Sequence, residues 1–284
     1  MNIQWYPGHM TKAKRMMQEN MKIIDLIIEI VDARLPISSR NPQIDELVGT
    51  KPRLMLLNKA DIADFSLNKE WENYFAKKGI NAYAISSTSG KNFGFVFEKC
   101  KELLADKIQR EKDKGIVNRP VKIMICGVPN VGKSSFINKL SGRKSAITGD
   151  RPGVTKGKQW IRLKNNFELL DTPGILWPKF NDEAVGLKLA YTGAIKDEII
   201  DTEELACHLL EYLRDNYPNS LEERYKMTDF SEMKGYELLE YLGKKRGFVI
   251  SGGEINTDRA AGILLDEFRG AKLGNITLEK PSEF

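Results

Sequence analysis

The chain has 284 residues, room for one large or two ordinary domains with a sizeable core, and its 41% hydrophobic and 29% charged residues describe a soluble globular protein. The longest apolar stretch, Ile23 to Val31, carries Asp25 and Glu29 and falls far short of the roughly 20 residues of a membrane span. No signal-peptide pattern precedes it, and Cys100, Cys126 and Cys207 form no CxxC pair, so a reduced cytoplasmic setting without a membrane is expected.

In chain order, the first segment is Trp5-Tyr6-Pro7-Gly8-His9-Met10, where Pro7-Gly8 predicts a turn able to present the His9 imidazole. Ile23 to Val31 then reads as a buried strand. The run Arg53 to Leu57 reads as a strand closed by Asn58-Lys59-Ala60-Asp61. An aspartate there can accept hydrogen bonds from the N1–H and exocyclic amine of guanine, which adenine does not offer, so Asp61 argues for GTP over ATP. Ser86-Ser87 follows the strand Ala82 to Ile85 and precedes Gly90. It matches a small-residue loop that packs on the base through its amides; a plain turn is the other reading.

The charged stretch Lys99 to Arg119 reads as a connector, and the apolar run Val121 to Cys126 as a strand. Gly127-Val128-Pro129-Asn130-Val131-Gly132-Lys133-Ser134 fits GxxxxGK[ST] and precedes a helical pattern at Phe136, Ile137 and Leu140. In this strand-loop-helix setting the amides around Asn130, Val131, Gly132 and Ser135 can close on phosphates at a helix N-terminus. Lys133 is expected to reach the outer phosphates and the Ser134 hydroxyl to ligate Mg2+. Thr155, in Arg151-Pro152-Gly153-Val154-Thr155, is the natural second hydroxyl ligand. Two further runs, 159–163 and 166–171, end in Asp171-Thr172-Pro173-Gly174, where Asp171 can hold Mg2+ through water and Gly174 can offer its amide to a γ-phosphate.

An ordinary GTPase runs phosphate loop, DxxG, NKxD and serine loop. Here the last two come first, which is a circular permutation. Ile175 occupies the place where Ras-like enzymes carry the glutamine that orients water, and it cannot do that work. Three substitutes stay open on the residues alone: His9, a monovalent cation such as K+ with Asn130 as a ligand, and a group supplied by a partner. The other histidine, His208, lies in an amphipathic stretch and reads as packed or solvated.

These motifs together resemble the circularly permuted GTPases, and most closely the ribosome biogenesis GTPase A (YlqF-related) family. Val31-Asp32-Ala33-Arg34-Leu35-Pro36 and Ser39-Arg40-Asn41-Pro42 add to the match, which spans essentially the whole chain. The resemblance implies a cytoplasmic GTPase that joins the immature large (50S) ribosomal subunit late in its maturation, is stimulated by it, and leaves on hydrolysis. It also implies that His9 serves in hydrolysis. An RNA-binding scaffold in which GTP is mainly structural is the alternative.

The expected architecture is an α/β fold: a permuted P-loop GTPase domain with a doubly wound six-stranded sheet over residues 1–178, then a smaller all-α domain over 179–284, in a monomer. Asp201 and Glu204 suggest a capping box ahead of Leu205, Leu209, Leu210 and Leu213, and segments near 184–195, 234–246 and 257–269 complete a bundle of four or five helices. The net charge of +5 hides an asymmetry, since residues 1–179 hold 31 Lys and Arg against 18 Asp and Glu. Basic residues from Arg143 to Lys164 suggest contact with RNA phosphates, with Trp5 and Tyr6 near a second basic group.

Overall fold

The computed structural model describes residues 8–90, 93–116, 118–142, 159–180 and 182–284. Helix α1 (Gly8–Asn20) leads into β1 (Leu26–Asp32), followed by α2 (Pro42–Val48), β2 (Arg53–Asn58), α3 (Phe65–Lys77) and β3 (Asn81–Ala84). Then come α4 (Val96–Leu103), α5 (Ala105–Asp113), β4 (Val121–Cys126), α6 (Lys133–Ser141), β5 (Gln159–Arg162) and β6 (Phe167–Asp171). The six strands form one sheet in the order β3-β2-β1-β4-β6-β5.

All neighbours in that sheet are parallel except β5 and β6. Every residue of β1 is buried, as expected of a central parallel strand covered on both faces. Edge strand β5 instead buries only Ile161. The β5–β6 turn is made by Asn165 and Asn166 with φ of 58° and 62°, a left-handed conformation that asparagine tolerates. On one side of the sheet α3 lays Trp71 and Phe75, with ring centroids 5.8 Å apart, over Val31, Met55 and Leu57. The charged connector is covered by two short helices, the end of α4 and all of α5.

The chain divides into two compact units. The helical one runs from Phe180 to Ile276 and contains α7 (Glu183–Tyr191), α8 (Thr202–Asn216), α9 (Pro218–Tyr225), α10 (Gly235–Lys245) and α11 (Thr257–Arg269). Asp201 accepts from the Glu204 amide at 3.0 Å to cap α8, and the expected leucines Leu205, Leu209, Leu210 and Leu213 form its buried face. Close approach within the bundle requires glycine: a Cβ on Gly243 of α10 would lie 2.3 Å from the Ile255 side chain. The buried Glu267 accepts from Arg224 Nε and the Tyr225 hydroxyl, each at 2.9 Å, and so ties α9 to α11.

Residues Thr277–Phe284 do not stay with the helices, where the sequence reading placed them, but group with the sheet unit. Leu278 donates its amide to Arg34 O at 2.6 Å, and Asp64 N donates to Thr277 Oγ1 at 2.9 Å. The Glu279 carboxylate, fully buried, accepts from the Ile37 amide at 2.7 Å, the Ser38 amide at 3.2 Å and the Ser38 hydroxyl. Trp71 Nε1 donates to Glu279 O at 3.2 Å. Replacing Glu279 by alanine strands the Ile37 and Ser38 donors while the Trp71 bond to the main-chain carbonyl remains, and the expected loss is about 2–4 kcal/mol of folding stability in urea titrations. An unchanged midpoint would contradict this anchoring.

Candidate nucleotide-binding site

The loop after β4 turns sharply because three residues adopt left-handed backbone: Gly127 at φ +151°, Asn130 at +59° and Gly132 at +89°. A Cβ on Gly127 would stand 2.3 Å from Ile30 O, and one on Gly132 2.3 Å from Asn58 Nδ2, so only glycine fits either place. The loop opens directly into α6, whose face at Phe136, Ile137 and Leu140 is buried. The first amides of that helix have no intrahelical partner, and Ser134 and Ser135 stand half-buried in its first turn. Lys133 is buried, and its Nζ donates to Val128 O at 2.7 Å and Gly127 O at 3.2 Å. Burial pushes its ammonium down to about 8, against the pull of Asp171.

Asp171 ends β6, the strand beside β4, and Thr172 fixes the junction by donating its hydroxyl to Ile125 O at 2.6 Å. Both carboxylate oxygens of Asp171 are buried without a hydrogen-bond partner. Burial raises this carboxyl to about 6 even though Lys133 favours its charged form. A buried acid left in this state fits a hard divalent cation. Among the described residues no cluster of three His, Cys, Asp or Glu side chains could hold a metal, but Mg2+ takes only one or two protein oxygens and completes its shell with water and phosphate. Asp171 and Ser134 are the described candidates for that role. Thr155 and the rest of the 143–158 segment lie outside the described residues.

Gly174 sits against the phosphate loop: a Cβ there would lie 2.7 Å from Pro129 Cα and 2.9 Å from Lys133 Nζ. The next residues are held by three separate elements. Ile175 N donates to Gly127 O at 3.3 Å, Asn41 Nδ2 donates to Ile175 O at 3.0 Å, and Leu176 N donates to Met10 Sδ at 3.5 Å. Met10 is fully buried on α1, whose inner face continues with Ala13 and Met17. His9, one residue earlier, is exposed in the first turn of the same helix, so its backbone stands next to an element that touches the segment after Gly174. His208 is half-exposed on α8, with Nε2 3.9 Å from Glu204 Oε1.

On the base side, the buried amide of Asn58 joins two loops. Its Nδ2 donates to Val131 O at 2.8 Å, while its Oδ1 accepts from Ser87 N at 3.0 Å and Ser87 Oγ at 2.8 Å. Ser86 Oγ accepts from Ser89 N at 3.0 Å, which shapes the serine loop. Lys59 takes φ +64° and places its Nζ 3.1 Å from Asp32 Oδ2. Burial alone would raise the Asp32 carboxyl, but Arg34 and Lys59 hold it well below the usual carboxylate range. Asp61 remains exposed at the same edge.

The structure thus brings Asn58, Lys59, Asp61, Ser86 and Ser87 to the same sheet edge as Asn130 to Ser135, Asp171 and Gly174. It also brings in residues to which the sequence reading gave no role: Asp32, Asn41 and Met10. A carboxylate at the carboxyl end of β1, level with Asn58 of β2, was the available signal for Asp32. Met10 lay in the Trp5–Met10 motif, but the only role read there was that of His9.

Comparison with known proteins gives a consistent picture. A family model described as 50S ribosome-binding GTPase matches residues 122–245, from the phosphate-loop strand onward, and so leaves the displaced Asn58-Lys59-Ala60-Asp61 upstream. A Bacillus cereus protein named ribosome biogenesis GTPase A is 50% identical over 284 residues, covering 100% of this chain and 96% of that one. A Thermotoga maritima protein of the same name is 31% identical over 281 residues, covering 99% and 95%. The solved GDP-bound structure of TM YlqF superposes with a TM-score of 0.69 at 27% identity, covering 94% of this chain and 100% of that one. Full-length identity at this level, on a sheet whose carboxyl edge carries the guanine-nucleotide motifs, makes the chain a member of the ribosome biogenesis GTPase A family, a GTP-hydrolysing protein that takes part in ribosome assembly.

Proposed function

We propose that this GTPase joins the maturing large (50S) ribosomal subunit late in assembly, in the cytoplasm, and that subunit-stimulated hydrolysis releases it. The observation that carries the reading is at Ile175. Its side chain is buried, its amide and carbonyl are both bonded, and no water-orienting side chain exists at that position. A GTPase built in this way is slow until another group completes the site. His9 is that group in this reading, since α1 already touches Leu176 through Met10. The description of the matching family model, which names 50S ribosome binding, supports the choice of partner.

In this reading Asp61 selects guanine, Asn58 and Lys59 hold the base-side loops, and Ser86 and Ser87 pack on the ring through their loop. Lys133 exchanges its two carbonyl partners for phosphate oxygens, and the α6 amides surround the remaining phosphates. Ser134, Asp171 and Thr155 would hold Mg2+, which when bound supplies positive charge to the phosphate oxygens. Asn130 is a candidate ligand for K+. His9 orients the attacking water and assists removal of its proton, and Gly174 turns its amide toward the γ-phosphate. Among the described residues, the exposed Arg162 and Lys164 on and beside β5 belong to the surface that meets ribosomal RNA.

Two measurements test these assignments. Steady-state GTP hydrolysis with purified large subunits is expected to exceed the rate without them, and His9→Ala is expected to lower the stimulated rate by about a hundredfold or more with GTP binding intact. Parallel assays in K+ and Na+ read the role of Asn130. Absence of stimulation in either salt would favour a scaffold role.

The second concerns Lys133, poised near 8 without nucleotide. Phosphates favour its charged form and raise its pKa, so GDP binding at pH 8 is expected to take up about half a proton, detectable by calorimetry in buffers of different ionisation enthalpy. At pH 6.5 the ammonium is already formed and this uptake disappears. Affinity therefore falls as pH rises above about 8. Absence of uptake at pH 8 would show that Lys133 is already charged before nucleotide binds or that the phosphates do not engage it, and Lys133→Ala tells the two apart, since only the first leaves GDP affinity dependent on this side chain.

A further inference from the structure

In the segment Ser39-Arg40-Asn41-Pro42, Asn41 is 2% exposed and uses both ends of its amide. Its Oδ1 accepts from Gln43 N at 2.9 Å and caps α2, where Pro42 supplies the first helical residue. Its Nδ2 donates to Ile175 O at 3.0 Å, across 134 positions of sequence. The cap satisfies a helix end and needs only an acceptor. The second bond holds the backbone immediately after Gly174 and needs a donor.

We propose that Asn41 is a positioning residue for GTP hydrolysis, setting where the chain leaves Gly174 and hence how that glycine faces the phosphate loop. Gly174 has little freedom, since Pro129 and Lys133 already crowd it. The Ile175 peptide is gripped on one side by Gly127 O and on the other by Asn41, so movement at Gly174 takes place against a fixed exit. Asn41 is itself held firmly in the fold. The chain before it is pinned by Glu279 at Ile37 and Ser38, and Ser39 Oγ accepts from Asp32 N at 2.9 Å and donates to Leu35 O at 2.8 Å. Asn41 does not touch nucleotide in this account; it acts through the backbone at 175.

The inference rests on the phosphate-facing role proposed for Gly174, and the two amide functions can be separated. Asn41→Ser and Asn41→Thr each keep a side-chain oxygen for the helix cap and are too short to carry the donor to Ile175 O, without burying a charge at this position. Thermal unfolding, GDP affinity and single-turnover GTP hydrolysis would be measured for both and for the wild-type protein. The expected result is an unfolding transition and GDP affinity close to wild type, with hydrolysis slower by roughly three- to tenfold, the rate equivalent of one hydrogen bond. Wild-type hydrolysis in both variants would overturn the proposal. So would a loss of folding or GDP binding in step with the rate, because Asn41 would then be a structural cap and nothing more. Failure of the Gly174 reading shows separately, as a Gly174 amide out of hydrogen-bond reach of the γ-phosphate in a crystal structure with a non-hydrolysable GTP analogue.

Discussion

One buried side chain joins the two halves of the permuted chain. Asn58 ends β2, and its amide reaches the phosphate loop at Val131 and the serine loop at Ser87, so three segments distant in sequence share a single rigid hub. At 2% exposure none of these bonds competes with water. The hub also explains a backbone requirement elsewhere: any side chain at position 132 would collide with Asn58 Nδ2. The order in which the motifs were synthesised is immaterial to this geometry, because the sheet places β2, β1 and β4 side by side whichever comes first. Permutation moves the chain ends and leaves the carboxyl edge intact.

That edge stores charge in two lysine–aspartate relationships of opposite character. Asp32 has Arg34 and Lys59 around it and stays ionised. Asp171 has Lys133 nearby but no hydrogen bond to it, and burial pushes it toward neutrality. The first arrangement is complete by itself and acts as framework. The second is electrostatically incomplete, with a lysine easily deprotonated and an acid easily protonated, which is how a site appears when its ionic ligands are supplied from outside.

Much of this was legible in the residues. The six strands were visible as apolar runs, and the phosphate loop was legible because its glycines serve a backbone shape that only glycine adopts. The α8 cap and its leucine face were equally readable, since both are local. What escaped were contacts between segments far apart in sequence. Asn41 stood only in a motif that carried the resemblance, and its bond to Ile175 O spans 134 positions. Met10 closed the Trp5–Met10 segment, in which only His9 was given a role. The destination of the last eight residues was hidden for the same reason: Thr277–Phe284 contain no periodic pattern, and their partners at 34–38, 64 and 71 are more than two hundred positions upstream.

The return of that tail makes the helical unit an insertion, entered after the Asp171-Thr172-Pro173-Gly174 segment and left at Ile276. During synthesis, therefore, the nucleotide-binding unit emerges first but stays incomplete. Its loop at Arg34 to Ser38 waits unbraced through the making of the helices from α7 to α11, and is clamped by Glu279 only afterwards. A domain whose nucleotide motifs all lie before residue 175 thus depends, for the bracing of its own framework, on an element made after an intervening unit.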